Sequence, residues 1–210
     1  MRHLGEGIQQ LVGVPPHLFN AYLVDGVLVD ACTPAASRRL LRQLKGAEVN
    51  AHLVTHAHPD HFGSSHAVCE ALDLPLWAGA GDVEAIETAT PVTGPGRIPA
   101  LMSKMKMPPP HPVARALREG DEVGSFTVLD VPGHSPGHIA LWREKDRTLI
   151  CGDVFYRLPK VSGPWAITTA DMERNRESMR RLAALRPRLV LFGHGRPLRD
   201  DPDRLTRAAG

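Results

Sequence analysis

Short apolar runs recur along the chain, and glycine, proline or charged residues separate most of them. Runs of this kind, rich in valine, leucine and isoleucine, are typical of buried strands. The pattern predicts strands at residues 8–14, 19–24, 27–30, 49–55, 74–77, 125–131, 138–142, 149–153 and 188–192. The first run ends before two prolines, and we expect it at the edge of its sheet.

Helix signals lie between these runs. Thr33 followed by Pro34 is a favourable helix start, and Gly46 is a favourable stop for the helix that ends near residue 44. Further helices are predicted at residues 64–72, with His66 on the surface, and at 82–88 and 169–185. The alternation predicts one α/β domain over residues 1–210, with a proline- and methionine-rich insert at about 91–112 and a polar tail at about 200–210.

Residues 55–61, Thr-His-Ala-His-Pro-Asp-His, hold three histidines and one aspartate directly after an apolar run. Imidazole and carboxylate are ligands of zinc, iron and manganese. In a strand, His56 and His58 would point to the same side. Asp60 and His61 would follow in a turn begun by Pro59. The two pairs therefore predict two metals side by side.

Three more ligand-type residues each end or follow an apolar run and have glycine as a neighbour. They are His134 in Pro-Gly-His, Asp153 in Gly-Asp and His194 in Gly-His-Gly. Strand ends are where α/β folds place reactive side chains. Two nearby residues are assigned to other roles, Cys151 to core packing and Ser135 to loop structure.

The ordered set His-x-His-x-Asp-His, Gly-His, Gly-Asp and Gly-His-Gly resembles the metallo-β-lactamase superfamily, and within it the glyoxalase II-like branch of small hydrolases. The resemblance covers about residues 20–199 and implies a four-layer αβ/βα sandwich. It implies that one metal takes His56, His58 and His134, that a second takes Asp60, His61 and His194, and that Asp153 bridges them. Asp30 matches an aspartate that supports such a site, although it could also cap the next segment.

By the same resemblance, the protein is expected to be a dinuclear metal-dependent hydrolase. A hydroxide shared by two divalent ions would attack a carboxylic ester, thioester or lactone carbonyl, and Asp60 would also orient or shuttle a proton. Zinc is the expected cation, with iron and manganese as alternatives. One rival hypothesis is a persulfide dioxygenase-like oxidoreductase with a single iron on His56, His134 and Asp153. Another is a non-catalytic metal-binding module.

Two features bear on the substrate. Tyr156 follows Asp153 by three residues, as in some lactonases of the superfamily, where the hydroxyl can stabilise the carbonyl oxygen; simple packing is the alternative. The insert is long and has no strand signals, which is typical of a binding loop. Met102, Met105 and Met107 are therefore expected either to contact an apolar part of the substrate or to form a short helix buried against the body.

The charge and cysteine content of the chain indicate which kinds of binding partner and which cellular location to expect. A net charge of +2 over 210 residues offers no electrostatic reason to expect nucleic acid or a membrane, so a small-molecule substrate is expected. The three cysteines are odd in number and widely spaced, which predicts no disulfide framework. Residues 1–10 contain no apolar run of signal-peptide length, and we expect a cytoplasmic location. The oligomeric state stays open.

Overall fold

Two β-sheets share an apolar core at the centre of the computed structural model, which describes residues 1–94 and 107–210. Within these ranges the first sheet has seven strands, arranged in space as in the chain. They are β1 (Arg2–Gly5), β2 (Ile8–Leu11), β3 (Ala21–Val24), β4 (Val27–Val29), β5 (Ala51–Val54), β6 (Leu76–Gly79) and β7 (Val113–Leu117). β1 to β4 pair antiparallel, and β4 to β7 pair parallel. The loops after β5 and β6 therefore open at the same edge of the sheet.

The second sheet is built from the later part of the chain. Its strands are β8 (Glu122–Val123), β9 (Phe126–Asp130), β10 (Ile139–Arg143), β11 (Thr148–Ile150), β14 (Leu189–Leu191) and β15 (Leu198–Arg199). Their spatial order is β15-β14-β11-β10-β9-β8, and β11 and β14 pair in parallel. A separate hairpin of β12 (Tyr156–Arg157) and β13 (Val161–Ser162) lies in the segment between β11 and β14.

Helices cover the outer face of each sheet. Those on the first sheet are α1 (Ser37–Leu44), α2 (Ser65–Leu72) and α3 (Val83–Thr88), and those on the second are α4 (Met172–Ala184) and α5 (Asp203–Ala209). Leu53 of β5 and Leu141 of β10 belong to the same buried core cluster between the sheets, where burying each leucine stabilises the fold by about 1.5–3 kcal/mol. The order helix, sheet, sheet, helix confirms the predicted four-layer αβ/βα sandwich.

The start of α4 is fixed by a side chain, and this matters for the site. Asp171 is the N-cap, and its carboxylate accepts hydrogen bonds from the N–H groups of Glu173 and Arg174, both at 3.0 Å. The Asp171 N–H in turn donates to the carbonyl of Gly133 at 2.8 Å. The loop that carries His134 is thereby attached to the first turn of α4.

Several predicted details differ from the structure. Residues 8–11 do not form the edge of the first sheet, because β1, whose residues are mostly polar and give no apolar run, pairs outside them. β5 ends at Val54 and β11 at Ile150, so the ligand-type residues after them lie in turns and not in strands. The tail predicted to be polar and partly helical does contain a helix, α5, but its Leu205 and Ala209 are buried in the core cluster that also holds residues of α4.

Two further findings concern the insert and the helices. Met102 and Met105 lie outside the described residues, whereas Met107 is described. Across residues 1–94 and 107–210, no helix combines the length and the apolar character needed to cross a membrane.

Candidate metal centre

The loops that follow the strands bring all seven predicted metal ligands to one place. Among these seven residues, three groups have ligand atoms within 4.8 Å of one another. They are His56 with His58 and His134, His56 with His61 and Asp153, and Asp60 with His61 and His194. The first and third groups are the two ligand sets that the resemblance implied.

The carboxylate of Asp153 lies at the centre of these groups. Its Oδ2 is 3.0 Å from Nε2 of His194, 3.4 Å from Nε2 of His61, 3.5 Å from Nε2 of His134 and 3.9 Å from Nε2 of His56. These histidines come from both sets. A carboxylate in this position can contact cations on either side of it.

His56 and His58 reach the centre through a tight turn. The N–H groups of His61 and Phe62 donate to the carbonyl of His58 at 2.9 and 3.0 Å, which closes the chain on itself directly after β5. The prediction that His56 and His58 share a strand face was therefore wrong. Both still point to the centre, and their rings approach with Nε2 of His56 3.0 Å from Nδ1 of His58.

Each of the five histidines has one ring nitrogen next to a protein oxygen. The pairs are His56 Nδ1 with Thr55 Oγ1 (3.1 Å), His58 Nε2 with the Val92 carbonyl (2.9 Å), His61 Nδ1 with Asp30 Oδ2 (2.8 Å), His134 Nδ1 with Thr169 Oγ1 (3.1 Å) and His194 Nδ1 with the Leu18 carbonyl (2.5 Å). An oxygen that accepts the N–H proton leaves the other nitrogen as the ligand atom. The outer partners thus orient the rings for metal binding.

Two buried polar atoms at the centre lack a hydrogen-bond partner in the described part of the chain, and a bound cation would supply one. Nε2 of His134 and Oδ1 of Asp153 are buried and have no hydrogen-bond partner among the described residues. Leaving such a group unpaired costs about 1–3 kcal/mol. A divalent cation would give both atoms a partner, and the mixture of nitrogen and oxygen donors suits zinc, iron or manganese. The residues present therefore fit a divalent metal.

Burial and neighbouring charges shift the pKa values of the side chains at the centre. Burial holds the pKa values of His56 and His134 well below the ordinary value, so both rings are neutral. Burial opposes the charge of Asp153 too, but His194 and His61 outweigh it and hold the Asp153 pKa well below its usual range. Asp153 in turn overcomes burial and raises the pKa of His61 well above its ordinary value and that of His194 to about 10.

Asp30 supports the loop between β5 and α2. Its Oδ1 accepts a hydrogen bond of 2.8 Å from the Thr55 N–H, while its Oδ2 lies 2.8 Å from Nδ1 of His61. Its φ of 60° turns the chain sharply at the end of β4. These contacts favour the supporting role of Asp30 over a helix cap.

The sequence profile of the metallo-beta-lactamase superfamily matches residues 15–194. The chain belongs to the metallo-β-lactamase superfamily. It is 33% identical to TTHA1623, solved in a di-iron-bound form, with a TM-score of 0.72 over 92% of this chain and 94% of that one. The predicted superfamily and fold are therefore confirmed.

Several curated relatives of the chain are named as hydrolases. The chain is 29% identical to the probable metallo-hydrolase YflN of Bacillus subtilis (strain 168), over 87% of this chain and 77% of that protein. It is also 29% identical to a hydroxyacylglutathione hydrolase of Bdellovibrio bacteriovorus, over 67% of this chain. That match covers 46% of the Bdellovibrio protein, so the chain spans less than half of its length.

Asp82 lies next to the centre, and sequence reasoning missed its position there. It is fully buried, and its carboxylate accepts hydrogen bonds from Ala57 N–H (2.8 Å), Gly137 N–H (2.6 Å) and Ser135 Oγ (2.5 Å). It thus joins the loops that carry His56, His58 and His134. A signal was present, because Gly81-Asp82 follows a strand much as Gly152-Asp153 does. The assignment of Ser135 to loop structure is confirmed.

Asn20 and His138 were also missed. The Asn20 amide donates to the carbonyls of Phe192 and Gly195 at 2.9 and 2.8 Å, on either side of His194. Nε2 of His138 accepts the N–H of Asp153 at 3.2 Å, and burial lowers the pKa of His138 to about 3, which keeps the ring neutral. Cys151 is buried in the core beside α4, as predicted.

Tyr156 borders the centre on the side of the second sheet. The centroid of its ring is 5.0 Å from that of His194 and 6.2 Å from that of His134. Burial and the neighbouring Asp153 raise the Tyr156 pKa above its ordinary value, so the phenol keeps its proton. The hydroxyl is therefore available as a hydrogen-bond donor.

A cleft of about 440 Å³ opens beside the ligands. His58 and Asp60 line it together with apolar residues, namely Phe19, Pro34, Pro59, Pro91, Val92, Met107 and Ile167. Met107 also packs against the core beneath α1 to α3. Met107 therefore lies in the cleft wall and also packs against the body, while its contact with a substrate stays a prediction.

Proposed function

We propose that this protein is a hydrolase that holds two divalent cations and cleaves a carboxylic ester, thioester or lactone of a small molecule. One observation carries the proposal. Oδ2 of Asp153 is within 3.9 Å of His56 and His134 from one ligand set and of His61 and His194 from the other. The names of the curated relatives, a metallo-hydrolase and a hydroxyacylglutathione hydrolase, support the reaction class.

The proposed ligands keep the assignment implied by the sequence. His56, His58 and His134 would hold one cation, Asp60, His61 and His194 the other, and Asp153 both. Bound divalent cations supply a water that ionises near neutral pH and polarise the substrate carbonyl. We propose zinc, with iron and manganese compatible with the same donors.

Asp60 is suited to handle a proton during the reaction. It lines the cleft, its side chain is 30% exposed, and its Oδ2 is 3.3 Å from Nε2 of His194. Burial favours its neutral form, but the hydrogen bond from His194 and the charge of His61 outweigh burial and lower its pKa. At neutral pH it is therefore a carboxylate, which would help to hold a cation and can accept a proton.

Tyr156 and the cleft are suited to position the substrate. The phenol would donate a hydrogen bond to the oxygen on which charge develops as the carbonyl is attacked. The cleft wall formed by Phe19, Val92, Met107 and Ile167 suits an apolar part of the substrate. Met102 and Met105 lie outside the described residues, and we propose from the sequence alone that they contact the same apolar part of the substrate.

Metal content and hydrolysis test this function together. Protein purified without added metal or chelator is measured by elemental analysis and then assayed with esters, thioesters and lactones before and after chelation. Asp153→Asn should lose both metal and hydrolysis, because it replaces one oxygen shared by both sets. Asp73→Asn, a control at an exposed position after α2, should change neither.

Each outcome separates the rival hypotheses. About two metal ions per chain, with hydrolysis that chelation removes, would support the proposal. One iron per chain, with oxygen uptake on persulfides and no hydrolysis, would replace it with the dioxygenase. Bound metal without either activity would indicate a non-catalytic module.

A further inference from the structure

A second group of metal-type side chains lies on the surface, outside the seven central ligands. It consists of His66 and Glu70 on α2 and His111, two residues before β7. The Nδ1 atoms of His66 and His111 are 3.3 Å apart, and all three ligand atoms lie within 4.8 Å of one another. We call these three residues the outer cluster.

We propose that the outer cluster binds one zinc-type divalent cation, in addition to those at the metal centre. A zinc ion bonded to two imidazole nitrogens at about 2.0–2.1 Å in tetrahedral geometry separates those nitrogens by roughly 3.3–3.4 Å. The observed separation of 3.3 Å matches this edge of the tetrahedron. The two rings therefore need no rearrangement to share a cation.

Local structure places the three side chains for this purpose. His66 and Glu70 are four residues apart on α2, so they lie on the same face of the helix, one turn apart. Glu70 is exposed, and a rotation of its side chain can bring an oxygen to the third position. A water can complete the coordination, as at other zinc sites with three protein ligands.

His111 is restrained by its neighbours. Prolines 110 and 112 flank it, and proline fixes its own φ while restricting the residue before it. Val113, which follows Pro112, donates its N–H to Glu87 Oε1 on α3 at 2.9 Å. A ligand on restrained backbone loses less conformational entropy when a metal binds.

The charge state of the cluster also favours a cation. Burial lowers the pKa of His111, and the neighbouring His66 lowers it further. His111 is therefore mainly neutral at pH 7, and a neutral imidazole is the form that binds metal. Glu70 contributes the negative charge that a lone pair of histidines would lack.

A cation here would join α2 to the segment that enters β7, and both follow closely in the chain on residues that line the cleft. α2 begins four residues after His61, and Met107, which lines the cleft, is four residues before His111. The role that follows is structural: the cation would hold the segment entering β7 against α2.

The number of zinc ions bound tests this inference independently of hydrolysis. Wild-type protein with its central metals is equilibrated with Zn²⁺ in a buffer that contains a competing chelator of known affinity, and bound zinc is counted after desalting. The variant His66→Gln/His111→Gln is treated in parallel. We expect the wild type to hold one zinc more per chain, with micromolar or tighter affinity, while the variant keeps its central metals and its hydrolytic rate.

A matched pair of glutamate variants sharpens the test. Glu70→Gln should weaken the additional zinc by about tenfold or more, whereas Glu84→Gln, which removes an exposed carboxylate from α3, should leave its affinity unchanged. The melting temperature should rise on zinc addition in the wild type and less so in the double variant. Equal zinc content in wild type and double variant, or an additional ion bound only at millimolar zinc, would overturn the proposal.

Discussion

The Ser135 hydroxyl donates a hydrogen bond of 2.5 Å to Oδ2 of Asp82, and the same oxygen accepts the Ala57 N–H at 2.8 Å. Ala57 lies between His56 and His58, and Ser135 follows His134. One buried carboxylate therefore holds together the two loops that carry the first proposed ligand set. The loops come from different sheets, so no local interaction can replace it.

We expect Asp82→Asn to destabilise the fold and weaken metal binding. The amide offers one acceptor oxygen in place of two and turns an NH₂ group toward backbone donors. The loss should be about 2–4 kcal/mol in the free energy of unfolding, because hydrogen bonds to a buried charge are broken. Metal affinity should fall by about 10–100-fold, as is typical when a group that orients ligands is lost. Urea unfolding and a competitive metal titration measure the two effects.

Ser135→Ala is the matched control for this prediction. It removes one donor of the three around Asp82 and leaves the two N–H bonds in place. It should lower the free energy of unfolding by about 1 kcal/mol and weaken metal binding less than Asp82→Asn does. Equal effects of Asp82→Asn and Ser135→Ala would show that Asp82 does not join the loops as described.

Tyr156→Phe should reduce kcat with little change in metal content or melting temperature. The ring packs near His134 and His194, and phenylalanine preserves that packing while removing the donor. Loss of one hydrogen-bond donor to a developing oxyanion typically costs about 10²–10³ in kcat. The measurement is a steady-state assay on the best substrate found. An unchanged kcat would leave Tyr156 with packing alone.

Stability should fall as the pH decreases from about 6.5 to about 4, in part because of His52. Nδ1 of His52 donates to the Leu28 carbonyl at 2.9 Å, and Nε2 accepts from Ser65 Oγ at 2.8 Å. Burial lowers the His52 pKa from 6.5 to about 4. In this pH window His52 is protonated in the unfolded chain but stays neutral in the folded chain, so acidification favours unfolding. The shift in pKa lowers the free energy of unfolding by roughly 3 kcal/mol at the acid end of this window.

The contribution of His52 can be isolated with His52→Asn, whose amide can still donate to the Leu28 carbonyl. Urea unfolding of both proteins at pH 7 and pH 5, in chelator, should show a smaller loss of stability in the variant on acidification. The buried histidines of the metal centre keep part of the dependence in both proteins. Identical pH dependence would rule out His52 as a contributor.

Metal uptake by chelator-treated protein should release protons at pH 7. His194 has a pKa of about 10 and that of His61 is also raised, so both rings carry a proton until a cation displaces it. We expect about two protons per chain on saturation, and tighter binding as the pH rises toward 10. Zinc addition in weak buffer with a pH indicator counts these protons. His194→Gln should release about one fewer, and an equal number would contradict the charge assignment.

The ligands of the proposed metal centre could be predicted because their signals are local. His56, His58, Asp60 and His61 lie within six residues, and the other three ligands each have glycine beside a strand end. Glycine has a steric reason at one of these positions, because a Cβ on Gly193 would lie 2.1 Å from Oδ1 of Asp153. The close approach that the centre needs is thus already encoded next to His194.

Other features had no local signal that could decide them. β1 is mostly polar, and it is a strand because residues 2 and 3 pair with Gln10 and Gln9. His66 and His111 are forty-five residues apart, and only the packing of α2 beside the chain that enters β7 brings them into contact. The same holds for Asp82, whose partners lie 25 to 55 residues away.

The sequence by itself determined the superfamily, because the ordered ligand motifs that carry the resemblance are formed by neighbours in the chain, and the resemblance in turn implied the order of layers and the identity of the proposed metal ligands. Tertiary structure alone decided which ring nitrogen of each histidine faces the centre, which carboxylate joins the loops, and which surface residues form the outer cluster. The physical reason is that hydrogen bonds and metal geometry depend on distances of a few ångströms between segments remote in sequence. Those distances follow only when the helices and both sheets have packed around a common core.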